Sequence, residues 1–271
     1  MSDKYCVFGN PIGHSKSPII HAAFARQTKQ DIEYSTQLAA IDGFADAVEK
    51  FIAAGGRGAN VTVPFKEEAF ALVTRRTPRA ELAGASNTLI FTGAELIGDN
   101  TDGVGLLRDI TLNLGCPITD RRILLLGAGG AARGVIGPLL ELHPQSLTVS
   151  NRTLPRAQSL GEYFARLGPV SACSYGDLAG QTFDIVIDAT SSALSETMPP
   201  LPDGIFAADS LAYTMIYGLG DTPFRRFAQS QGAARISEGL GMLVEQAAEA
   251  FFVWRGVRPD CAPVMELLRR A

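Results

Sequence analysis

Residues 121–142 read RRILLLGAGGAARGVIGPLLEL. An apolar run, 123–126, ends in six small residues, Gly127-Ala128-Gly129-Gly130-Ala131-Ala132, and a helix-forming stretch follows. The six fit the form G-x-G-x-x-G/A. Gly127 permits a tight turn, Gly129 lets backbone N–H groups approach a pyrophosphate, and Ala132 allows close helix–strand packing. A helix that starts here presents free donors and a partial positive charge to an anion. A glycine turn alone also occurs with nothing bound. Its place between a strong strand and a helix, with another strand following, points to a dinucleotide.

The next strand, SLTVSNR at 146–152, selects among dinucleotides. A carboxylate at its end would bond a ribose 2′-hydroxyl and repel a 2′-phosphate. Here the chain reads Asn151-Arg152-Thr153-Leu154-Pro155-Arg156. Arg152 and Arg156 offer planar forks suited to phosphate oxygens, and Thr153 adds a hydroxyl. Helix N-termini disfavour cations, so two arginines at the next helix start call for an anionic ligand. The expected cofactor is NADP.

The rest of the chain bounds the function. Its 271 residues are 46% hydrophobic and 19% charged, with net charge −4, so a soluble globular protein of one large or two ordinary domains is expected. That balance leaves no broad basic field for nucleic acid. Cys6, Cys116, Cys173 and Cys261 form no CxxC pair and read as reduced thiols of a cytoplasmic protein. With His14, His21 and His143 they show no metal-ligand spacing. No run of about 18 apolar residues suggests a membrane span, and the N-terminus lacks a signal-peptide pattern.

The first hundred residues alternate strand and helix. KYCVFG is a strand, and Ser17-Pro18 is expected to cap and open a helix burying Ile20, Ala23, Phe24 and Gln27. IEYSTQLA is a strand. A helix with Phe44, Val48, Phe51 and Ile52 on one face then ends at Gly55-Gly56. GANVTV is a strand and Pro64 opens the next helix. NTLIF and ELIG form a hairpin across TGA. GVGLLRDITLNL reads as a connecting helix, and VSACS, FDIVIDAT and GIFAADSL as further strands. The fold class is α/β with two lobes. An N-terminal α/β domain (1–102) has a mainly parallel sheet, a Rossmann-type domain spans 103–238, and C-terminal helices (239–271) return to the first lobe. A cleft between two such lobes is the expected ligand site.

Seven stretches carry a resemblance: GNPIGHSKSPIIH at 9–21, NVTVPFK at 60–66, GASNTL at 84–89, GDNTDGVG at 98–105, GAGGAARG at 127–134, NRTLPR at 151–156 and EGLGMLVEQAA at 238–248. Together, in this order, they resemble shikimate dehydrogenase over nearly the whole chain. The resemblance implies NADP-linked interconversion of 3-dehydroshikimate and shikimate, with the substrate lobe first and the cofactor lobe second. Residue by residue it implies that Ser15 and Ser17 hold the substrate carboxylate. Thr62 and Asn87 meet its hydroxyl side, Gln246 closes the site from the C-terminal helix, Tyr217 reaches the substrate, and Lys66 with Asp102 forms the catalytic pair. Gly127, Ala128, Gly129, Gly130, Ala131, Asn151, Arg152, Thr153 and Arg156 take the cofactor's phosphates and adenosine end. Met215 and Gly239 border the nicotinamide, and Thr190 lies nearer its ribose. His14 reads as a structural hydrogen-bonder.

Three departures stand out. Asp188 occupies a place where the family more often has Asn, Ser86 replaces a usually apolar neighbour of Asn87, and SLAYTMIYG at 210–218 differs from the common pattern. The chemistry suits the residue set. Reducing a ketone needs a hydride on carbon and a proton on oxygen. With no zinc spacing present, an ammonium such as Lys66 is the natural donor and charge stabiliser. A broader quinate/shikimate enzyme using NAD would favour an acidic residue in place of Arg152. A non-catalytic NADP-binding protein would favour loss of Lys66 or Asp102. The expected partners are small molecules. Oligomeric state stays open, with a homodimer as one arrangement.

Overall fold

The computed structural model describes residues 2–93, 95–190 and 197–270. Ala94 of the TGA turn and residues 191–196, with the end of the IDATSSAL stretch, lie outside them. The chain divides into two compact units, Met1–Gly105 with Leu243–Ala271, and Leu106–Met242.

The first unit is built on a six-stranded sheet. Its strands are β1 (Asp3–Gly9), β2 (Ile32–Leu38), β3 (Gly56–Val61), β4 (Arg75–Arg76), β5 (Thr88–Phe91) and β6 (Leu96–Asp99), in the order β2-β1-β3-β5-β6-β4. β1 is parallel to β2 and β3, whereas β5 is antiparallel to β3 and β6, so the expected hairpin is present and turns part of the sheet antiparallel. β4 was not visible in the sequence. Two arginines carry no alternation, and this strand exists only through its pairing with β6.

Helix α1 (Ser17–Thr28) opens with Pro18 in its first turn. Its N-cap is Lys16, not Ser17, and the Ser15 hydroxyl accepts the Ser17 N–H at 3.3 Å. The cap therefore lies one residue before the expected one, and the side-chain acceptor, Ser15, two. Ile20 and Phe24 are buried as expected, but Gln27 is exposed and His21 takes its place inward. His21 stacks on Tyr34 with centroids 4.1 Å apart, and burial lowers its pKa to about 3. In α2 (Phe44–Ala53), Phe44 and Val48 are buried, while Ile52 is 39% exposed because the helix ends before that face is covered. Gly55, at φ +89°, reverses the chain into β3.

α2 and α3 (Lys66–Leu72) enclose one core with Phe8, Val61, Phe65 and Leu89. α1, α9 (Leu240–Arg255) and α10 (Ala262–Arg270) build another around Phe24, Phe251 and Val264. The short helix α4 (Pro78–Ala83) is capped by the Thr77 hydroxyl.

The second unit is a parallel sheet of β7 (Arg122–Leu126), β8 (Ser146–Ser150), β9 (Val170–Cys173), β10 (Phe183–Asp188), β11 (Phe206–Thr214) and β12 (Arg235–Glu238), in the order β12-β11-β10-β7-β8-β9. Read from the other edge this is the doubly wound order 3-2-1-4-5-6. The central strand β7 is apolar throughout after Arg122, as burial on both faces demands. α6 (Gly130–Glu141), α7 (Leu154–Phe164) and α8 (Pro223–Ser230) are its helical crossovers. β12 escaped the sequence reading because RISE offers a single apolar residue. The expected helix 103–114 is α5 (Asp102–Arg108) running into a π-helical turn, Asp109–Asn113. There the Tyr213 hydroxyl donates to the buried Asp109 carboxylate at 2.6 Å. Among the described residues no helix is long and apolar enough to cross a membrane.

Candidate functional site

In the first unit, strand register gathers the candidate residues at one edge of the sheet. Phe8 pairs with Val61, Asn60 with Thr88 and Thr88 with Asp99. Thr62 therefore leaves β3, Asn87 enters β5 and Asp102 leaves β6 at neighbouring points. Lys66 follows at the start of α3, its carbonyl held by the Ser86 N–H at 2.9 Å. The substitution at Ser86 leaves this backbone bond in place, while its hydroxyl is buried without a partner.

The Lys66 ammonium donates to Asp102 Oδ2 at 2.6 Å. The two side chains are 29% and 12% exposed, so the pair is half-enclosed and its ammonium is reachable. Asp102 Oδ1 accepts from Asn87 Nδ2 at 2.9 Å. The amide cannot be flipped: Asn87 Oδ1 receives the Thr101 backbone N–H at 2.8 Å, and that group only donates. Asn87 Nδ2 also faces Gln246 Oε1 at 3.2 Å, and Gln246 is held through its own amide by Leu243 O. Lys66, Asn87, Asp102 and Gln246 thus form one hydrogen-bonded cluster.

The sequence reading missed residues that support this cluster. Asn60 reaches Asn87 O and Thr88 Oγ1, and the Tyr34 hydroxyl donates to Asn60 Oδ1 at 2.7 Å. Asn100 Oδ1 accepts the Asp102 N–H at 3.1 Å. A polar Asn inside the apolar run GANVTV was the available signal for Asn60. Ser15 and Ser17 lie at the start of α1, Ser17 buried and Ser15 partly exposed. Thr62 is partly exposed, and its N–H donates to Phe8 O at 2.9 Å. His14 departs from its expected role: it is exposed, and its ring bonds no described residue.

In the second unit, one line of register crosses the sheet: Ser150, Leu126, Asp188, Thr214 and Glu238 pair successively. Asn151, Gly127, Thr190, Met215 and Gly239 follow those residues by one or two positions. The candidates therefore share the carboxyl edge of a doubly wound sheet, where ligands of such sheets bind. The order reverses between β7 and β10, and here Gly127 turns at φ +104°, its missing Cβ leaving room for Ala189 O. Gly129 is the N-cap of α6, with no side-chain cap and open space where its Cβ would be. Ala128, Gly130 and Ala131 complete this uncapped turn, whose N–H groups suit a pyrophosphate.

Arg152, Thr153 and Arg156 are exposed at the start of α7. Thr153 is the N-cap without a side-chain bond, and Asn151 Nδ2 donates to Thr153 O at 3.0 Å. Among the described residues neither arginine has an acidic partner. Two unpaired guanidiniums at a helix N-terminus fit a dianionic 2′-phosphate. Asp188 is fully buried, with one oxygen taking the Thr190 N–H and hydroxyl and the other unpartnered. Burial raises its pKa against those two hydrogen bonds. Met215 and Gly239 meet backbone to backbone, since a Cβ on Gly239 would collide with Met215 O. Tyr217 is half-buried in the loop after β11, in the second unit rather than with the other substrate candidates. Among the described residues no group of acidic, His and Cys side chains is arranged to hold a metal.

Comparison with known proteins follows the same division. Residues 7–89 match the family described as "Shikimate dehydrogenase substrate binding domain", 111–196 match "Shikimate / quinate 5-dehydrogenase", and 239–269 match "Shikimate 5'-dehydrogenase C-terminal domain". The chain is 62% identical to a "Shikimate dehydrogenase (NADP(+))" of Dechloromonas aromatica (strain RCB), over 99% of this chain and 98% of that one. Its fold is similar to that of an Ael1 enzyme from Pseudomonas putida, at TM-score 0.94 and 48% identity over 98% of each chain. It is also similar to a shikimate 5-dehydrogenase from Thermus thermophilus in complex with NADP(H) and shikimate, at TM-score 0.88 and 31% identity over 99% of each chain.

Proposed function

The chain belongs to the shikimate dehydrogenase family, and from that membership we propose that it interconverts 3-dehydroshikimate and shikimate with NADP(H) in the cytoplasm. The observation that carries the reading is the Lys66–Asp102 pair at 2.6 Å, joined through Asn87 to Gln246 in the first unit.

Ser15 and Ser17 meet the substrate carboxylate, while Thr62, Asn87 and Gln246 take its hydroxyl groups, with Tyr217 as a further contact. A site of hydroxyl and amide groups rejects analogues that leave those groups unpaired. Lys66 stands at the reacting oxygen. As an ammonium it stabilises the developing alkoxide and gives up a proton; in the oxidising direction the neutral amine accepts it. Asp102 holds the ammonium in place, and Asn87 orients Asp102. When bound, the nicotinamide supplies or receives the hydride. Gly127 to Ala131 receive the pyrophosphate, and Asn151, Arg152, Thr153 and Arg156 receive the 2′-phosphate end. Thr190, Met215 and Gly239 flank the ribose and nicotinamide.

The test is an absorbance assay at about 340 nm, where reduced nicotinamides absorb, pairing shikimate and quinate with NADP and NAD. Turnover fastest with shikimate and NADP is expected. Turnover with neither acid would overturn the reading, and a preference for quinate with NAD would assign the site to the broader reaction.

A further inference from the structure

Behind the Lys66–Asp102 cluster lies an ionic network that the proposed chemistry does not use. Asp99, the last residue of β6, is 2% exposed. Its carboxylate accepts Arg79 Nε at 2.6 Å and Nη2 at 2.5 Å, the Thr77 hydroxyl at 2.6 Å and the Asn100 N–H at 2.8 Å. The third Arg79 nitrogen donates to Glu249 Oε1 at 2.8 Å, and the other Glu249 oxygen pairs with Arg258. Burial alone would raise the Asp99 and Glu249 carboxyls, yet their arginine partners hold both below the usual range.

The position of this network gives it a consequence for the site. Asp99 leads into Asn100, Thr101 and Asp102, and its bond to the Asn100 N–H sets the direction in which the chain leaves β6. Asn100 in turn takes the Asp102 N–H. Glu249 lies one helical turn beyond Gln246 on α9. Arg79 therefore joins the end of β6, three residues ahead of Asp102, to α9, which carries Gln246. On the site side Asp102 and Gln246 meet through the Asn87 amide, at 2.9 Å to the Asp102 carboxylate and 3.2 Å to the Gln246 side-chain oxygen, and the second of these bonds is neutral. Charge-assisted bonds are roughly twice as strong as neutral ones, and every bond of Arg79 to Asp99 and Glu249 pairs two ions, so this tie to α9 is stronger than the neutral one through Asn87 and Gln246.

We propose that Arg79, bridging Asp99 and Glu249, is a positioning residue that sets the spacing between Asp102 and Gln246 and so tunes the fit of the substrate. The proposal rests on the reading of the first unit as the substrate site. Arg79 touches neither Lys66 nor Asp102; it acts through Asp99 and Asn100 on one side and through α9 on the other.

The experiment measures steady-state kinetics with shikimate and NADP for wild type, Arg79→Lys and Glu249→Gln, below the thermal transition of each. Lysine keeps the charge but loses the fork, and Glu249→Gln keeps shape but cuts the charged tie to α9. Val264→Ala, in the core beneath α10, serves as a destabilised control. A displacement of about 1 Å in a site of this kind costs up to about 100-fold. KM for shikimate is expected to rise about tenfold in both variants, kcat to fall less, and KM for NADP to stay within twofold. The control should lose thermal stability without that change. Should Arg79→Lys fail to fold, Glu249→Gln carries the test alone. KM for shikimate within twofold of wild type in folded Glu249→Gln overturns the proposal, as does an equal rise in Val264→Ala. Absence of shikimate oxidation by wild type would instead overturn the functional reading on which it rests.

Discussion

Lys66→Met keeps most of the side-chain length and removes the ammonium. Positioned acid–base groups contribute about 10²–10⁴-fold, and kcat is expected to fall by that factor while NADP still binds. Lys66→Arg should not restore it, because a guanidinium holds its proton near neutral pH. Saturated turnover within about threefold of wild type in Lys66→Met would remove Lys66 from the mechanism. Arg152 tests the other unit. Hydrogen bonds to charged groups contribute about 1.5–3 kcal/mol, so Arg152→Ala is expected to weaken NADP about 10- to 100-fold and NAD far less. Titration of both cofactors decides this, and equal losses would mark the arginine as a folding residue. Lys66 was singled out in the sequence by the resemblance of NVTVPFK, and Arg152 by its place after the second strand of the cofactor lobe, where a carboxylate would repel a 2′-phosphate. Arg79 was not legible. A lone arginine reads as solvated surface until the fold brings Asp99 and Glu249 to it.

Among the elements, the start of α1 shows where local sequence misleads. Ser17-Pro18 has the pattern of a cap followed by a first helical residue, but the helix begins one residue earlier and Ser15 supplies the side-chain acceptor. Ser15→Ala is therefore expected to remove a helix-end bond, about 0.5–1 kcal/mol, as well as the proposed substrate contact. For a chain of this size that is a fall in Tm of about 1–4 °C, together with a raised KM for shikimate. An unchanged Tm with a raised KM would confine Ser15 to the ligand. The strand–turn–helix from β7 to α6 was readable because strand, turn and helix residues are adjacent in sequence. β4 and β12 were not, since pairing with a neighbour makes them strands.

For the molecule as a whole, acid lability of the first unit follows from its buried carboxylates. Asp99 and Glu249 have folded pKa values below their ordinary ones, so the fold holds their protons more weakly than the unfolded chain does. Their stabilisation is complete above the ordinary carboxylate range, about pH 4, and is lost as pH falls through the depressed values. The chain's single tryptophan, Trp254, donates to Leu89 O and stacks on Tyr5, so its fluorescence follows the first unit. Melting followed by that signal should show Tm dropping steeply below about pH 4 in wild type and less steeply in Glu249→Gln. Parallel curves for the two would show that Glu249 adds nothing to the acid transition.

The sequence by itself determined the α/β alternation, the glycine turn, the cationic start of α7 and the family to which the chain belongs. Each is written in short stretches of contiguous residues, the family in seven of them taken in order, whose pattern or chemistry has a narrow physical use. The register that aligns Ser150, Leu126, Asp188, Thr214 and Glu238 was decided by the tertiary structure. So were the fixed orientation of the Asn87 amide and the Arg79 tie between Asp99 and Glu249. These depend on groups far apart in the chain, and strand pairing and burial alone choose which of them meet.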